Sequence, residues 1–296
     1  MKCVSSERLT EKDALRRSNM QVMPHVYSLH IDEDAAGAGV MHPGGSNIYF
    51  VGDPAEEMVV IDTGEHYRDW TRRILDFYAE LGKPTITSIL ITHGHGDHIG
   101  GVDRLQEAMA CPVRCHPKLA ARLGRILDPD IVVKLRSRET VRTGGGVGLR
   151  ALFTPGHEAD HVCYYLTPDR VLFTGDLVLG GSTTSVQDLG AYMNSLQLLT
   201  GYSPKMVCPA HGPLVPNGPE RIRMYIRHRN GREQQVVAAL EKGITGVDEI
   251  VTEIYPRNLR RGLRETAARN VRTHLAKLKD EGRITEQSPT YAIKAQ

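Results

Sequence analysis

Five short β-branched runs in this chain each give way, at their C-terminal end, to a histidine or an aspartate. Asp62 follows MVVI (58–61), His93 follows ITSILI (86–91), His157 follows LRALF (149–153), Asp176 follows VLF (171–173) and His211 follows KMVC (205–208). Runs of this length and composition read as strands. Loops at strand C-termini are where α/β scaffolds gather their sites. One such coincidence carries little weight, but five in one chain call for a fold that brings these strand ends together.

Further strands are expected at NIYFV (47–51) and VCYYL (162–166), and helical periodicity appears from His66 to Leu81, with Trp70, Ile74, Leu75 and Tyr78 on one face, and from Val102 to Met109. The fold class is therefore α/β or α+β with a largely β core. At 296 residues the chain can hold a large domain and a small appendage. Composition changes near Asn217. Pro219 suits a first helical turn, and the charged stretch PERIRMYIRHRNGREQQVVAALEK reads as a helix interrupted at Gly231. Beyond it, VDEIVTEIY, TAARNVRTHLAKLKDEGRI and ITEQSPTYAIK give helix, helix and two short strands with a turn at Gln287–Pro289, a winged-helix pattern. The expected division is a catalytic domain over 1–218 and a C-terminal winged-helix-like domain over 219–296.

The densest chemistry lies in ITHGHGDHIGG (91–101). In an extended or turn segment the side chains of H-x-H-x-D alternate, so His93, His95 and Asp97 can point one way while His98 begins a helix beside them. That spacing can feed two adjacent metal ions. Neutral imidazoles suit zinc, and an open coordination position leaves room for a water whose pKa falls to about 7. His161, four residues after His157, is a candidate proton donor or substrate contact. Cys111 and Cys115, before His116, read as a core-facing pair rather than a second metal site. Ser46 and Asn47 are expected to line the site. His25, His30, His42, His66, His228 and His274 lack a motif context.

The ordered motifs DTG (62–64), THGHGDH (92–98), TPGH (154–157), TGD (174–176) and PAHG (209–212) resemble the signature of the metallo-beta-lactamase superfamily. The resemblance implies an αββα sandwich. It also implies that His93, His95 and His157 hold one metal ion, that Asp97, His98 and His211 hold a second, and that Asp176 bridges them, with Asp97 orienting the attacking hydroxide. Asp62 is not a ligand in this pattern and would brace the histidine loop. Iron enzymes of the family carry Glu at the place of His95, so two zinc ions are expected, with iron or manganese as substitutes.

The stretches GDLVLGGSTTSVQDLGAYMNSLQLL, PAHGPLVPN and YIRHRNGREQQVVAAL are similar to the beta-lactamase-like protein 2 subfamily over nearly the whole chain. That likeness implies either hydrolysis of acyl thioesters or cleavage of single-stranded RNA. An ester, thioester or lactone is the favoured substrate, single-stranded RNA the alternative, and β-lactam hydrolysis a third reading as a side activity. The net charge of +2 calls for no polyanion partner overall, although nine Lys and Arg stand against three acids between Pro256 and Arg283. Aromatic residues for base stacking are sparse there. No apolar run reaches the length of a membrane span, no secretory core is seen near the N-terminus, and the odd count of five cysteines fits a reducing compartment. The expectation is a cytoplasmic enzyme with a small-molecule or acyl substrate and no membrane partner. A homodimer is left open.

Overall fold

Period-two alternation in the strands builds the layers. In Ser46–Gly52 (β3) every residue is buried. Ile48 and Phe50 point into one apolar cluster and Tyr49 and Val51 into another. In Val162–Leu166 (β10), Val162, Tyr164 and Leu166 share that second cluster while Cys163 and Tyr165 enter a third. Strands buried on both faces belong to sheets covered on both sides. Helix, sheet, sheet and helix follow.

The computed structural model describes residues 19–32, 45–256, 258–259, 261–287 and 290–293. Among these the first sheet runs in chain order: Asn19–Met23 (β1), Val26–Ile31 (β2), β3, Glu57–Ile61 (β4), Thr85–Leu90 (β5), Val113–Cys115 (β6) and Val132–Lys134 (β7). It is antiparallel as far as β4 and parallel from there on. The second sheet is ordered β13-β12-β11-β10-β9-β8, with Thr140–Arg142 (β8), Gly148–Phe153 (β9), Val171–Gly175 (β11), Met206–Pro209 (β12) and Val215–Pro216 (β13). Its β11–β12 pair is parallel, the other pairs antiparallel.

Helices Arg68–Glu80 (α1), Gly96–Ile99 (α2), Val102–Met109 (α3) and Pro117–Leu123 (α4) cover the first sheet, with Trp70, Ile74, Phe77 and Leu105 buried against Phe50, Val60 and Ile89. Each such side chain contributes about 1.5–3 kcal/mol on burial. Leu189–Thr200 (α5) and the first half of Gly218–Glu241 (α6) cover the second sheet through Leu189, Tyr192, Leu196, Ile222 and Tyr225. The second half of α6 supplies Val236, Ala239 and Leu240 to a fourth cluster, made with Val247–Ile254 (α7), Arg261–Asp280 (α8) and Ile284 of the strand pair Ile284–Gln287 (β14) and Thr290–Ile293 (β15). One helix is thus common to both bodies.

Most elements named from sequence lie within a residue or two of these bounds, but the helix expected over 266–284 begins five residues earlier, at Arg261, and ends at Asp280, ahead of a turn into β14. The interruption expected at Gly231 is absent: α6 runs through it, and nothing lies within 4 Å of where a Cβ would stand. A glycine mid-helix costs about 1 kcal/mol and need not break it. The N-terminal stretch before Asn19 with Cys3, His42, Arg257, Arg260 and residues 288–289 of the expected terminal turn lie outside the described residues. Cys111 and Cys115 are buried in the core with free thiols, as expected of a packing pair. No helix among the described residues is long and apolar enough to cross a membrane.

Candidate metal centre

The five strand-end residues meet at one edge of the sandwich. Gly175 and Gly156 show why those motifs carry glycine. Gly175 has φ +47°, and a Cβ there would meet Thr92 Cβ at 2.9 Å and His161 Nε2 at 2.8 Å. Gly156 has φ +138°, and its Cβ would stand 2.4 Å from Tyr192 Cα. Only glycine lets Asp176 and His157 leave their strands in these directions.

Two groups of ligand-type atoms result, each within 4.8 Å: His93, His95, His157 and Asp176, and Asp97, His98 and His211. In the first, His157 Nε2 lies 3.3 Å from both His93 Nε2 and His95 Nδ1. Asp176 stands between the groups. Its Oδ2 is 3.5 Å from His157 Nε2 and 4.0 Å from His93 Nε2, while its Oδ1 is 3.2 Å from His211 Nε2 and 3.6 Å from His98 Nε2. Asp97 Oδ2 closes the second group at 3.2 Å from His211 Nε2 and 3.5 Å from His98 Nε2.

The partners on the outer side of each ring, read as a hydrogen-bond network, fix which nitrogen turns inward bare. His157 Nδ1 donates to the Ser185 carbonyl at 2.8 Å, with Thr184 Oγ1 at 3.1 Å. His95 Nε2 faces Glu158 Oε1 at 2.7 Å. His98 Nδ1 donates to Asp62 Oδ2 at 2.8 Å. Thr92 Oγ1 donates to the same Asp62 oxygen at 2.8 Å and so accepts from His93 Nδ1 at 3.1 Å. Three lone pairs therefore converge in the first group, where no proton is left to share among them. That is a donor set for a borderline divalent cation.

Electrostatics divides the two groups. Burial, aided by the neighbouring His98, His161 and His157, pushes His93 well below the ordinary histidine value. Burial likewise lowers His157, against the pull of Asp176. In the second group burial also opposes charge, but Asp97, Asp62 and Asp176 outweigh it and raise His98 to about 10. His211 is raised to about 9, burial there being outweighed by hydrogen bonds to Asp176 and Asp97. Asp176 is held far below the carboxylate range, burial being overcome by His98 and His211. Buried His98 Nε2 has no hydrogen-bond partner, and Asp176 Oδ1 stands 3.6 Å from it. A cation between them would satisfy both.

Asp62 is the brace expected of it. With φ 62° at the end of β4 it accepts from Thr92 N, Thr92 Oγ1 and His98 Nδ1, each at 2.8 Å. Ser46 Oγ lies 2.9 Å from His211 Nδ1, and Asn47 Nδ2 donates to Pro209 O and Gly212 O at 2.9 Å each. His30, given no role from sequence, holds Asn47 Oδ1 at 2.7 Å. The expectation that His161 meets substrate is not met by its placement. It is fully buried, its Nε2 accepts the Asp176 N–H at 3.2 Å and its Nδ1 faces Thr154 Oγ1 at 2.9 Å. His161 supports the backbone of Asp176 from behind. Sequence reasoning passed over Glu158, Ser185 and Thr184, which orient His95 and His157; their contact is tertiary and no spacing announces it.

A cavity of about 500 Å³ opens onto both groups. His95, Asp97, His157, Asp176 and His211 form its floor, and Glu65, Leu179 and residues 181–185 its walls. Among the described residues no Lys or Arg lines it.

Comparison with known proteins agrees with this architecture. The chain is 32% identical to the lactamase-like protein nscB of Arthroderma gypseum over 281 residues, 90% of this chain and 86% of that one. It is 38% identical to the lactamase-like protein aptB of Emericella nidulans over 205 residues, 69% of this chain and 63% of that one. Among solved structures, a beta-lactamase domain protein from Burkholderia ambifaria superposes with a TM-score of 0.76 at 21% identity, covering 93% of each chain. A metallo-beta-lactamase family protein from Thermus thermophilus gives 0.70 at 22%, covering 93% of this chain and all of that one. These two likenesses speak for the fold alone. Residues 247–290 match the model of the beta-lactamase associated winged helix domain. Residues 41–211 match the family model of the metallo-beta-lactamase superfamily, and the chain belongs to that superfamily.

Proposed function

We propose that this chain is a binuclear zinc hydrolase acting on a carboxylic ester, thioester or lactone, in the manner of the beta-lactamase-like protein 2 subfamily. The observation that carries the binuclear reading is the division of the Asp176 carboxylate, one oxygen toward His93 and His157 and the other toward His98 and His211. His93, His95 and His157 would hold one ion, Asp97, His98 and His211 the other, and Asp176 both. Iron or manganese could stand in for zinc with the same ligands. When bound, such a pair polarises a substrate carbonyl and makes water a strong nucleophile at neutral pH.

The chain's own groups supply the rest. Asp97, at the cavity floor, orients the attacking water through its carboxylate and takes up its proton. Glu158, Asp62 and Ser185 keep the imidazoles in the tautomers that face inward. The hydroxyl-bearing wall at 182–185 contacts an uncharged substrate portion.

The absence of Lys and Arg from the described lining favours a neutral acyl group over a phosphodiester, whose charge calls for cationic partners. The basic stretch of the winged unit is partly spent internally: Lys277 and Arg283 pair with Glu233, and Lys279 with Glu286. RNA cleavage is accordingly the weaker reading.

One preparation, loaded with Zn2+, is tested on p-nitrophenyl esters, acyl thioesters, lactones, β-lactams and single-stranded RNA. Chelator-sensitive turnover of an ester, thioester or lactone is expected. Cleavage of RNA with all carbonyl substrates left intact would overturn the reading.

A further inference from the structure

Helix α6 presents Arg221, Tyr225 and Arg229 at intervals of four, which places them on one face. All three end on the backbone of the segment that walls the cavity. Arg221 Nη2 donates to Leu179 O at 2.6 Å and Gly180 O at 2.8 Å. Tyr225 Oη donates to Ser182 O at 2.6 Å and accepts Leu179 N–H at 2.8 Å. Arg229 Nη2 donates to Thr184 O at 2.6 Å.

Arg229 is the buried cation of this face, 3% exposed, with its guanidinium 5.4 Å from the Tyr192 ring centroid. A guanidinium taken out of water costs several kcal/mol unless its bonds offset the loss. Apolar packing alone would be served by a methionine of similar reach. The carbonyl that Arg229 holds belongs to the peptide just before Ser185, and the Ser185 carbonyl accepts the His157 Nδ1 proton. The Thr184–Ser185 peptide is one rigid plane, hinged at the Ser185 Cα to the plane that carries the Ser185 carbonyl, so freeing the Thr184 carbonyl lets the Ser185 acceptor drift. His157 then loses the contact that keeps its lone pair on Nε2.

We propose that Arg229 is a positioning residue for His157, acting through the Thr184–Ser185 backbone to hold that imidazole in the tautomer and direction the first metal group needs. The inference rests on the metal-binding reading above. Arg229 touches neither metal nor substrate. It also ties the helix shared with the winged unit to the cavity wall.

The full-length wild type, Arg229→Met, Arg229→Lys and Arg227→Met are stripped of metal and titrated with Co2+ and Zn2+ against a chromogenic chelator, with visible spectra and thermal melts recorded. Arg227 is an exposed residue of the same helix paired with Glu220 and serves as control. The wild type and Arg227→Met are expected to take up two ions alike. Arg229→Met should bind one of the two about 10–100-fold more weakly, with an altered Co2+ spectrum, and Arg229→Lys should recover part of the loss. Wild-type affinity and spectrum in Arg229→Met would overturn the proposal. If Arg229→Met does not fold, Arg229→Lys, which lacks the planar fork, is read in its place: weakening of one ion by about threefold or more with a wild-type melt supports the proposal, and unchanged binding overturns it. A wild type that takes up no metal removes the function proposed above and this inference together. A wild type that loads two ions beside an indifferent Arg229→Met removes this inference alone.

Discussion

Asp62 accepts the Nδ1 proton of His98 at 2.8 Å, and through that one bond a strand end in the first sheet decides which nitrogen of a histidine in helix α2 faces the site. The same carboxylate also takes both protons of Thr92, so its removal orphans three donors in a dry site. Asp62→Ala is expected to lose about 1–3 kcal/mol of stability and about 10–100-fold in affinity for the ion of the second group. Asp62→Asn, which tolerates the positive φ and keeps an acceptor, should fall between. Chemical melts and chelator titrations check both.

Asp97 and His98 contribute to the site more than to the core. Asp97→Ala and His98→Ala are each expected to lower turnover by about two to three orders of magnitude or more while leaving the fold intact. Retained turnover in a folded Asp97→Ala protein would sink the two-metal mechanism.

Metal uptake should depend on pH differently in the two groups. His98 and His211, raised to about 10 and about 9, hold protons at neutral pH that a metal must displace. Affinity of the second group should therefore rise with pH between about 7 and 10 and release protons on binding. The first group, with His93 and His157 lowered, should show little change over that window. Isothermal titration in buffers of different ionisation enthalpy counts the protons.

His274 of α8 is fully buried, and neither of its ring nitrogens has a hydrogen-bond partner. Burial first, then Arg229 and Lys277, press it down to about 3. The unfolded chain, with its histidine near 6.5, binds more protons than the folded one at any pH between those values, so this residue erodes stability as pH falls below 6.5. The slope is about 1.4 kcal/mol per pH unit at most. His274→Leu should melt like the wild type at about pH 8 and above it at about pH 5.

Truncation after residue 218 removes Ile222 and Tyr225 from the cover of the second sheet, together with the bonds to residues 179–184. The product is expected to aggregate or to melt at a markedly lower temperature than the full chain, as differential scanning calorimetry would show. A soluble, fully active 1–218 fragment would contradict this.

Long or strongly patterned elements were legible in the sequence because their periods survive local noise: β3, β5, β9 and β10, and α3. The alternation expected through Asp97 stops at His95, because the helix begins at Gly96 and turns Asp97 toward His98 and His211 instead. The three-residue strands at 132–134 and 140–142 carry too few positions for any period to register. Helix α5 begins at Asp188, whose carboxylate accepts the Ala191 N–H, a cap that only the structure singles out. At the site, the inward-facing histidines followed from motif order, whereas Glu158 and Ser185 did not, since their claim on His95 and His157 exists only after the chain has folded. His161 shows the converse error. Four residues from His157 in sequence, it lies behind Asp176 and away from the cavity.

Helix α6, with its 24 residues, is about 36 Å of continuous rod, and it carries no joint between the two bodies that share it. Rotation about such a rod is counted in residues. Inserting one residue between Arg229 and Val236 would turn the winged unit by about 100° around the helix axis while Arg221, Tyr225 and Arg229 kept their hold on the cavity wall. Loops elsewhere in the chain can grow or shrink, but this stretch has its length set in phase with two cores at once.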